Sequence, residues 1–480
     1  MNPEDFDDRL IESAATTAPE SRAQDSSDRF DEDNRLKPEF VRRVSEALAA
    51  GESDQVYDLV EPLHPADIAD LFELIGRDKR RPLARAISDL MGVEVIAELN
   101  DHVRELFVED LPAETVADIA EQLDTDDAVA MLEDLDEDDQ QAVLAEMEPE
   151  DRAAIEAALS YGEETAGRLM SRDYVAFPEH RTVGDLIDFL RENPDLATEF
   201  WEVFIVDEGH HPVGSCALSW ILRTPRSVTL TDVMKRDQTL IPVTMDQEEV
   251  ALRFQKYALI SAAVVDKSGR LVGQITVDDV VHIIQEEAGE DVLLLSGAGD
   301  GDINEPIHLT IRTRLTWLVV NLGTAIIASS VVGLFQGAIA RFAVLAVLMP
   351  IVSGMGGNAG TQTLAVVVRA LATNQLTDSN TWRMIGREFR IASANGLSLG
   401  VLIGSGVALW SGNMLLGGVI ATAMLINNLM AGLAGIAVPV TLDRLKIDPA
   451  VSSAVFVTMA TDVMGFFSFL GLAVLSGLAG

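Results

Sequence analysis

The chain has 480 residues, 35 of them basic and 77 acidic, a net charge of −42, yet 48% of it is hydrophobic. So acidic a surface excludes nucleic acid as a natural partner and favours cations. The single cysteine, Cys216, excludes an intramolecular disulfide and fits a reducing compartment.

Residues 1–34 are acidic, polar and without an apolar core. The segment 1–36 therefore reads as a disordered tail with no export signal, and the soluble part after it is expected in the cytoplasm. From 37 to 165 the pattern is one of short helices. Leu111, Leu123, Leu135, Met147 and Leu159 recur at a 12-residue beat, and the units between them open on Asp, Glu or Pro. Those residues suit helix N-termini. Units too small to bury a face alone must stack, which predicts an all-α superhelical domain, either a sensing module or a ligand-free spacer.

From 166 the texture changes to short strands alternating with amphipathic helices, in two rounds, 166–235 and 236–285. Each round has an entry segment (Leu169-Met170 or Val233-Met234), a helix, a strand ending at Asp207 or Asp266, a turn, and a strand from Val213 or Leu271. This is the pattern of paired α+β modules. Residues 277–291 read as a helix, and 286–310 as the connecting helix to an apolar part.

Nine basic and five acidic residues lie from Pro306 onward, leaving 26 basic and 72 acidic groups, or −46, in the preceding 305 residues. Only six of the 35 basic residues are Lys, so solubility in a very salty cytoplasm competes with cation sensing as the reason for the acidity. The apolar part predicts a five-helix transmembrane domain, 311–480, with spans at about 315–335, 342–368, 391–411, 414–440 and 450–478. Arg312 and Arg314, the group from Arg369 to Arg390, and Arg444 with Lys446 mark the cytoplasmic side, with only Arg341 opposite. The N-terminus is then expected inside and the C-terminus outside. The fold class expected is a multidomain α-helical membrane protein carrying an α+β pair.

Asp462 is the only charged residue among the last 32. A charge near mid-span costs about 2.5–3.5 kcal/mol on insertion scales, so it belongs at a polar interior, an ion path or a partner. A protonated or purely structural aspartate is the competing reading. In the second span, Gly356, Gly357 and Gly360 should either loosen the helix, at about 1 kcal/mol each relative to Ala, and present Asn358 to a cavity, or serve close helix packing. Thr458, Thr461 and Gly465 lie one turn from Asp462, as ligands or as small packing residues. Asn427 and Asn428 read as interhelical hydrogen-bond donors. The chain carries no Cys/His metal set, GxSxG or Walker loop, which argues against an enzyme.

In these strings the chain resembles the MgtE-type magnesium transporters: ETAGRLM at 164–170, TVDDV at 276–280, EEAGED at 286–291, PIVSGMGGNAGTQ at 350–362, and DPA at 448–450 with TDVMGF around Asp462. The resemblance implies a helical N-domain, tandem CBS modules, a connecting helix and five spans in a homodimeric membrane protein. It implies a magnesium-gated Mg²⁺ channel or transporter, with another divalent ion (Co²⁺, Mn²⁺) or a non-transporting CBS sensor as alternatives. The matching aspartate, Asp462, would hold the transported ion, and Asn358 and Thr461 would support it. The sensor acids implied are Asp279, Glu287, Glu290 and Asp291, then Asp246 and Glu248, then Asp448, with Asp126 from the N-domain. Where the family reads KYDL, this chain has Lys256-Tyr257-Ala258-Leu259 and loses one acid. CBS pairs often bind adenine nucleotides; Thr276 and Asp279 suit an ATP-like ligand, whereas Ala217 and Trp220 at the equivalent place in the first module do not.

Overall fold

The Asp-, Glu- and Pro-led repeats become helices. In the computed structural model, which describes residues 28–108, 111–133, 135–193, 196, 200–297, 307–377, 379–451 and 453–478, they are α1 (Pro38–Ala50), α2 (Ser53–Val60), α3 (Pro65–Leu74), α4 (Arg77–Ala86), α5 (Val93–Ala97), α6 (Asp101–Val108), α7 (Ala113–Ala120), α8 (Thr125–Glu133), α9 (Glu137–Glu146) and α10 (Pro149–Leu159). Pro65 and Pro149 sit at helix starts and Glu114, Asp126, Glu137 and Glu150 in first turns, where free N–H groups and the helix dipole favour them. Each helix is too short to fold alone. They share two cores, one around Phe40, Phe72 and Leu83, the other around Val116, Met131, Leu132 and Ile155. Most of the expected 1–36 tail, and 298–306 of the expected connecting helix, lie outside the described residues.

The duplicated region follows as α11 (Ala166–Leu169), β1 (Ala176–Pro178), α12 (Val183–Glu192), β2 (Glu202–Val206), β3 (Pro212–Ala217), α13 (Leu218–Arg223), α14 (Leu230–Val233), β4 (Ile241–Pro242), α15 (Gln247–Tyr257), β5 (Ser261–Val265) and β6 (Leu271–Thr276). The two three-stranded sheets have the same topology: β1 runs parallel to β2 and β4 to β5, while β3 and β6 return antiparallel. Even the irregularity repeats, at Ile205/Val206 and Val264/Val265.

One detail departs from the linear reading of the repeat. The entry segments are exchanged: Ser171 bridges Gln274 on β6, and Lys235 bridges Ser215 on β3. Met170 closes over Gly273 and Met234 over Gly214, where a Cβ would meet each Sδ at 2.8 Å. The segment that opens the first round thus packs on the sheet of the second, and residues 234–235 return to the first.

The chain divides into two compact units, Met1–Val280 and Val281–Gly480, with the boundary inside α16 (Val277–Ser296). Helix α16 begins directly after β6, nine residues before the expected start of the connecting helix at 286. The second unit adds α17 (Ile307–Leu334), α18 (Gln336–Arg341), α19 (Val344–Ala372), α20 (Thr381–Ser411), α21 (Met414–Arg444) and α22 (Ser453–Leu475). Five of these, α17 and α19 to α22, are long and apolar enough to cross a membrane. In α21, 61% of the apolar window is buried against 11% in α17, so α21 is the central helix and α17 a peripheral one.

Close approach of α20 to α21 rests on small residues. Gly404 and Gly417 face each other so closely that a Cβ on either would lie 2.6 or 2.4 Å from the other's carbonyl oxygen, the small-residue contact by which membrane helices associate. The turn between these helices falls where expected, with Gly412 left-handed at φ +66° and Asn413 capping Leu415 and Leu416. One expectation is corrected. The glycine-rich string does not loosen its helix, since α19 is continuous through Gly356, Gly357 and Gly360, and neighbouring helices fill those notches. Helix α20 starts at Thr381, ten residues before the expected third span, and so includes Glu388.

Candidate functional site

In the membrane unit the polar residues meet at one level of α19, α21 and α22. The Ser353 hydroxyl on α19 donates to Asp462 Oδ1 on half-buried Asp462 of α22. Asn427 of α21 is fully buried and donates from Nδ2 to the Val352 carbonyl at 2.8 Å. Its slot is made by two glycines: a Cβ on Gly356 would lie 2.0 Å from Asn427 Nδ2, and one on Gly465 2.8 Å away. Ser353 precedes Gly356, and Asp462 precedes Gly465, by three positions, so each helix shows a polar atom and a notch on one face. Asn427 Oδ1 is buried and has no hydrogen-bond partner among the described residues, an orphan that costs about 1–3 kcal/mol unless something satisfies it. One carboxylate with neutral oxygens around it suits a hard cation that keeps part of its water.

The other expected pore residues divide. Asn358 is exposed, five positions from Ser353, beside exposed Thr361 and Gln362; a single chain does not bring it onto Asp462. Thr461 is fully buried and its hydroxyl donates to the Thr458 carbonyl at 2.9 Å. Asn427 does bridge helices, but Asn428 bonds the Met424 carbonyl of its own helix.

The first unit holds a second cluster of acids. Asp126, in the first turn of α8, is half-buried, and its Oδ1 is out of solvent without a hydrogen-bond partner among the described residues. Burial, then the charges of Asp279 and Asp127, hold its carboxyl well above the usual carboxylate range. Asp127 is pushed up to about 6, first by burial, then by Asp124 and Asp279, with Arg104 opposing. Asp279 is anchored at the start of α16, where its Oδ2 accepts from Thr276 Oγ1 at 2.7 Å and from Thr276 N at 3.3 Å. The expected nucleotide pair therefore bonds to itself.

The remaining sensor candidates are spread out. Asp246 caps α15, accepting from Glu248 N at 3.0 Å. Glu287 is half-buried and Glu290 exposed on α16. Asp291 lies near Asp448: burial, then the charge of Asp448, raises the Asp291 carboxyl, while Asp448 Oδ1 accepts from Ala450 N at 2.7 Å. Among the described residues no three His, Cys, Asp or Glu side chains are placed to hold a metal ion. The acids lie near enough to raise one another's pKa without converging on a point, as befits an ion bound partly through water.

Sequence reasoning missed Ser353, Asp127 and Glu388. Glu388 is buried, accepts from Thr363 Oγ1 at 3.3 Å, and lies 3.5 Å from Arg387 Nη1. The signal for Ser353 was available, because it stands one turn before the Gly356 notch.

Comparison with known proteins supplies the remaining findings. Residues 349–472 match the family described as a divalent cation transporter, 63–164 an MgtE intracellular N domain, and 230–286 a CBS domain. The chain is 30% identical over 444 residues to the magnesium transporter MgtE of Bacillus subtilis, covering 92% of this chain and 98% of that one. It is 30% identical over 446 residues to the MgtE of Thermus thermophilus, covering 91% and 98%. A solved cytosolic domain of the Mg²⁺ channel MgtE in complex with ATP is 28% identical and covers 51% of this chain and 99% of its own, at a TM-score of 0.46.

Proposed function

Because the chain belongs to the MgtE family of magnesium transporters, we propose that it carries Mg²⁺ across the cytoplasmic membrane through a path lined by Asp462, and that cytosolic Mg²⁺ closes this path. The observation that carries the reading is the half-buried Asp462 carboxylate held by Ser353, next in sequence to Val352, whose carbonyl accepts from Asn427. A partly hydrated Mg²⁺ is bound there by one carboxylate and by dipoles, tightly enough to enter and loosely enough to leave. The exposed polar stripe of Asn358, Thr361 and Gln362 is covered in a homodimer, in which two copies of α19 and α22 face the same path. The N-terminus is cytoplasmic and the C-terminus outside.

Regulation uses the acids of the soluble part. Two carboxylates about 5 Å apart repel by roughly 3 kcal/mol at an effective dielectric of 20, and driving a two-state equilibrium from 1:99 to 99:1 takes about 5.5 kcal/mol. A regulatory Mg²⁺ near Asp126, Asp127 and Asp279 fits that need, since the orphan Asp126 oxygen and the mutual repulsion are both relieved by a cation. Asp291 with Asp448 makes the second such pair, and Glu287 and Glu290 lie on the same α16. An adenine nucleotide at Thr276 and Asp279 of the second CBS module is a separate part of the proposal, measured by equilibrium dialysis with ATP.

The test is Mg²⁺ flux into vesicles holding the purified full chain, with Co²⁺ and Mn²⁺ as competitors. Asp462→Ala inserted normally but silent supports the path; normal flux through Asp462→Ala overturns it.

A further inference from the structure

The ends of α19 and α20 that carry the arginine group enclose a hollow of about 390 Å³. Three guanidinium-bearing residues line it, Arg369, Arg383 and Arg387, against apolar walls from Val366, Leu376 and Met384. Among the described residues Arg387 has a carboxylate beside it, Glu388, and that carboxylate is buried and already accepts from Thr363. Arg369 and Arg383 have no ion pair among the described residues. Next to them Trp382 is 82% exposed at the start of α20.

Two arginines without an ion pair among the described residues, in a chain of net charge −42, need a reason. Guanidinium groups match a phosphate with paired N–H donors. Exposed tryptophan on a membrane helix marks the headgroup level, and basic hollows between spans on the cytoplasmic side take anionic headgroups. The apolar walls suit the glycerol and first methylenes of a lipid rather than a freely hydrated ion. We infer that this hollow is a binding site for the phosphodiester headgroup of an anionic phospholipid, held by Arg369, Arg383 and Arg387. The inference rests on α19 and α20 being membrane spans and stands apart from the identity of the transported ion. Arg387 also touches Glu388, which bonds Thr363 of α19; a bound headgroup therefore bears on the helix that carries Ser353.

The experiment is native mass spectrometry of the full-length protein released from mixed phosphatidylglycerol and phosphatidylcholine vesicles. Phosphatidylglycerol is expected to be retained about tenfold over phosphatidylcholine. The preference should be lost in Arg369→Gln/Arg383→Gln and kept, at least in part, in Arg369→Lys/Arg383→Lys, which preserves charge and guards against misfolding. Arg312→Gln should leave it unchanged. Persistence of the full preference in the double Gln variant overturns the site. So does displacement of phosphatidylglycerol by inorganic phosphate at millimolar concentration, which would make the ligand a soluble anion.

Discussion

Ser353 on α19 donates its hydroxyl proton to Asp462 on α22. The bond points one carboxylate oxygen at a neighbouring helix and leaves the other for a cation. A dication about 4 Å from a single charge is attracted by roughly 8 kcal/mol at an effective dielectric of 20. Asp462→Asn keeps the hydrogen-bonding shape and loses that attraction, so flux should fall by roughly a hundredfold or more at unchanged expression. Ser353→Ala keeps the charge and loses its orientation, so a smaller decrease, between about two- and tenfold, is expected. Equal loss in both variants, measured as vesicle Mg²⁺ uptake, would mean that Ser353 does more than orient.

The crowded acids of the first unit give a pH signature. The raised carboxyls of Asp126 and Asp127 bind protons more tightly in the folded than in the unfolded chain. In the absence of divalent ions, stability should therefore fall as pH rises from about 4 through the Asp127 value of about 6. Asp127 alone contributes roughly 3 kcal/mol to that loss. Mg²⁺ replaces the protons, so its protection of the full chain against protease should weaken as pH drops below 6 and protons compete. Monovalent salt of equal ionic strength should not substitute. Asp126→Asn should raise protease resistance without Mg²⁺ and blunt the Mg²⁺ response; an unchanged Mg²⁺ midpoint in Asp126→Asn would remove it from the sensor.

Periodicity and charge made the architecture legible. The 12-residue beat announced α7 to α10, the duplicated strand-turn-strand pattern announced both sheets, and long apolar runs announced five spanning helices. Contacts between distant segments were not legible. The exchange of Ser171 and Lys235 between sheets depends on Met170 and Met234 closing over Gly273 and Gly214, a three-dimensional fit without a local mark. The charge near Arg387 hid the beginning of α20, because Glu388 reads as loop until Thr363 and Arg387 are seen around it. At the proposed ion site Asp462 stood out as a lone charge. Asn427 did not, since an asparagine in a span reads equally as helix glue, and only the glycine slot shows how closely it is held.

That slot makes a sharp prediction. Gly356→Ala would push a methyl to 2.0 Å from Asn427 Nδ2, so α19 or the amide must move. Overpacking of this kind costs about 1–3 kcal/mol, read as a lower melting temperature of the detergent-solubilised protein, with reduced flux. Asn427→Ala opens the space and removes the side-chain bond to the Val352 carbonyl, which keeps its helical partner. The pair Gly356→Ala/Asn427→Ala should therefore be more stable than Gly356→Ala alone. Additive losses would show that the two residues do not share the slot.

Glu388 offers the last test, because it is a buried carboxylate outside the proposed ion site. Its partners are the Thr363 hydroxyl of α19 and Arg387 of its own helix, while Thr363 in turn fits against Gly435 of α21, where a Cβ would meet Thr363 Cβ at 2.9 Å. Three helices thus meet at one polar knot. Glu388→Gln retains the acceptor for Thr363 and should change stability by less than about 1 kcal/mol, whereas Glu388→Ala leaves a void and an unmatched hydroxyl and should lose about 2–4 kcal/mol. Thr363→Val should cost about 1 kcal/mol. In a thermal-unfolding cycle Thr363→Val and Glu388→Ala should be less than additive, by about 0.5–3 kcal/mol, if the hydroxyl and the carboxylate are one unit. Strict additivity would mean that α19 and α20 are joined by packing alone, and that Glu388 is retained for its contact with Arg387.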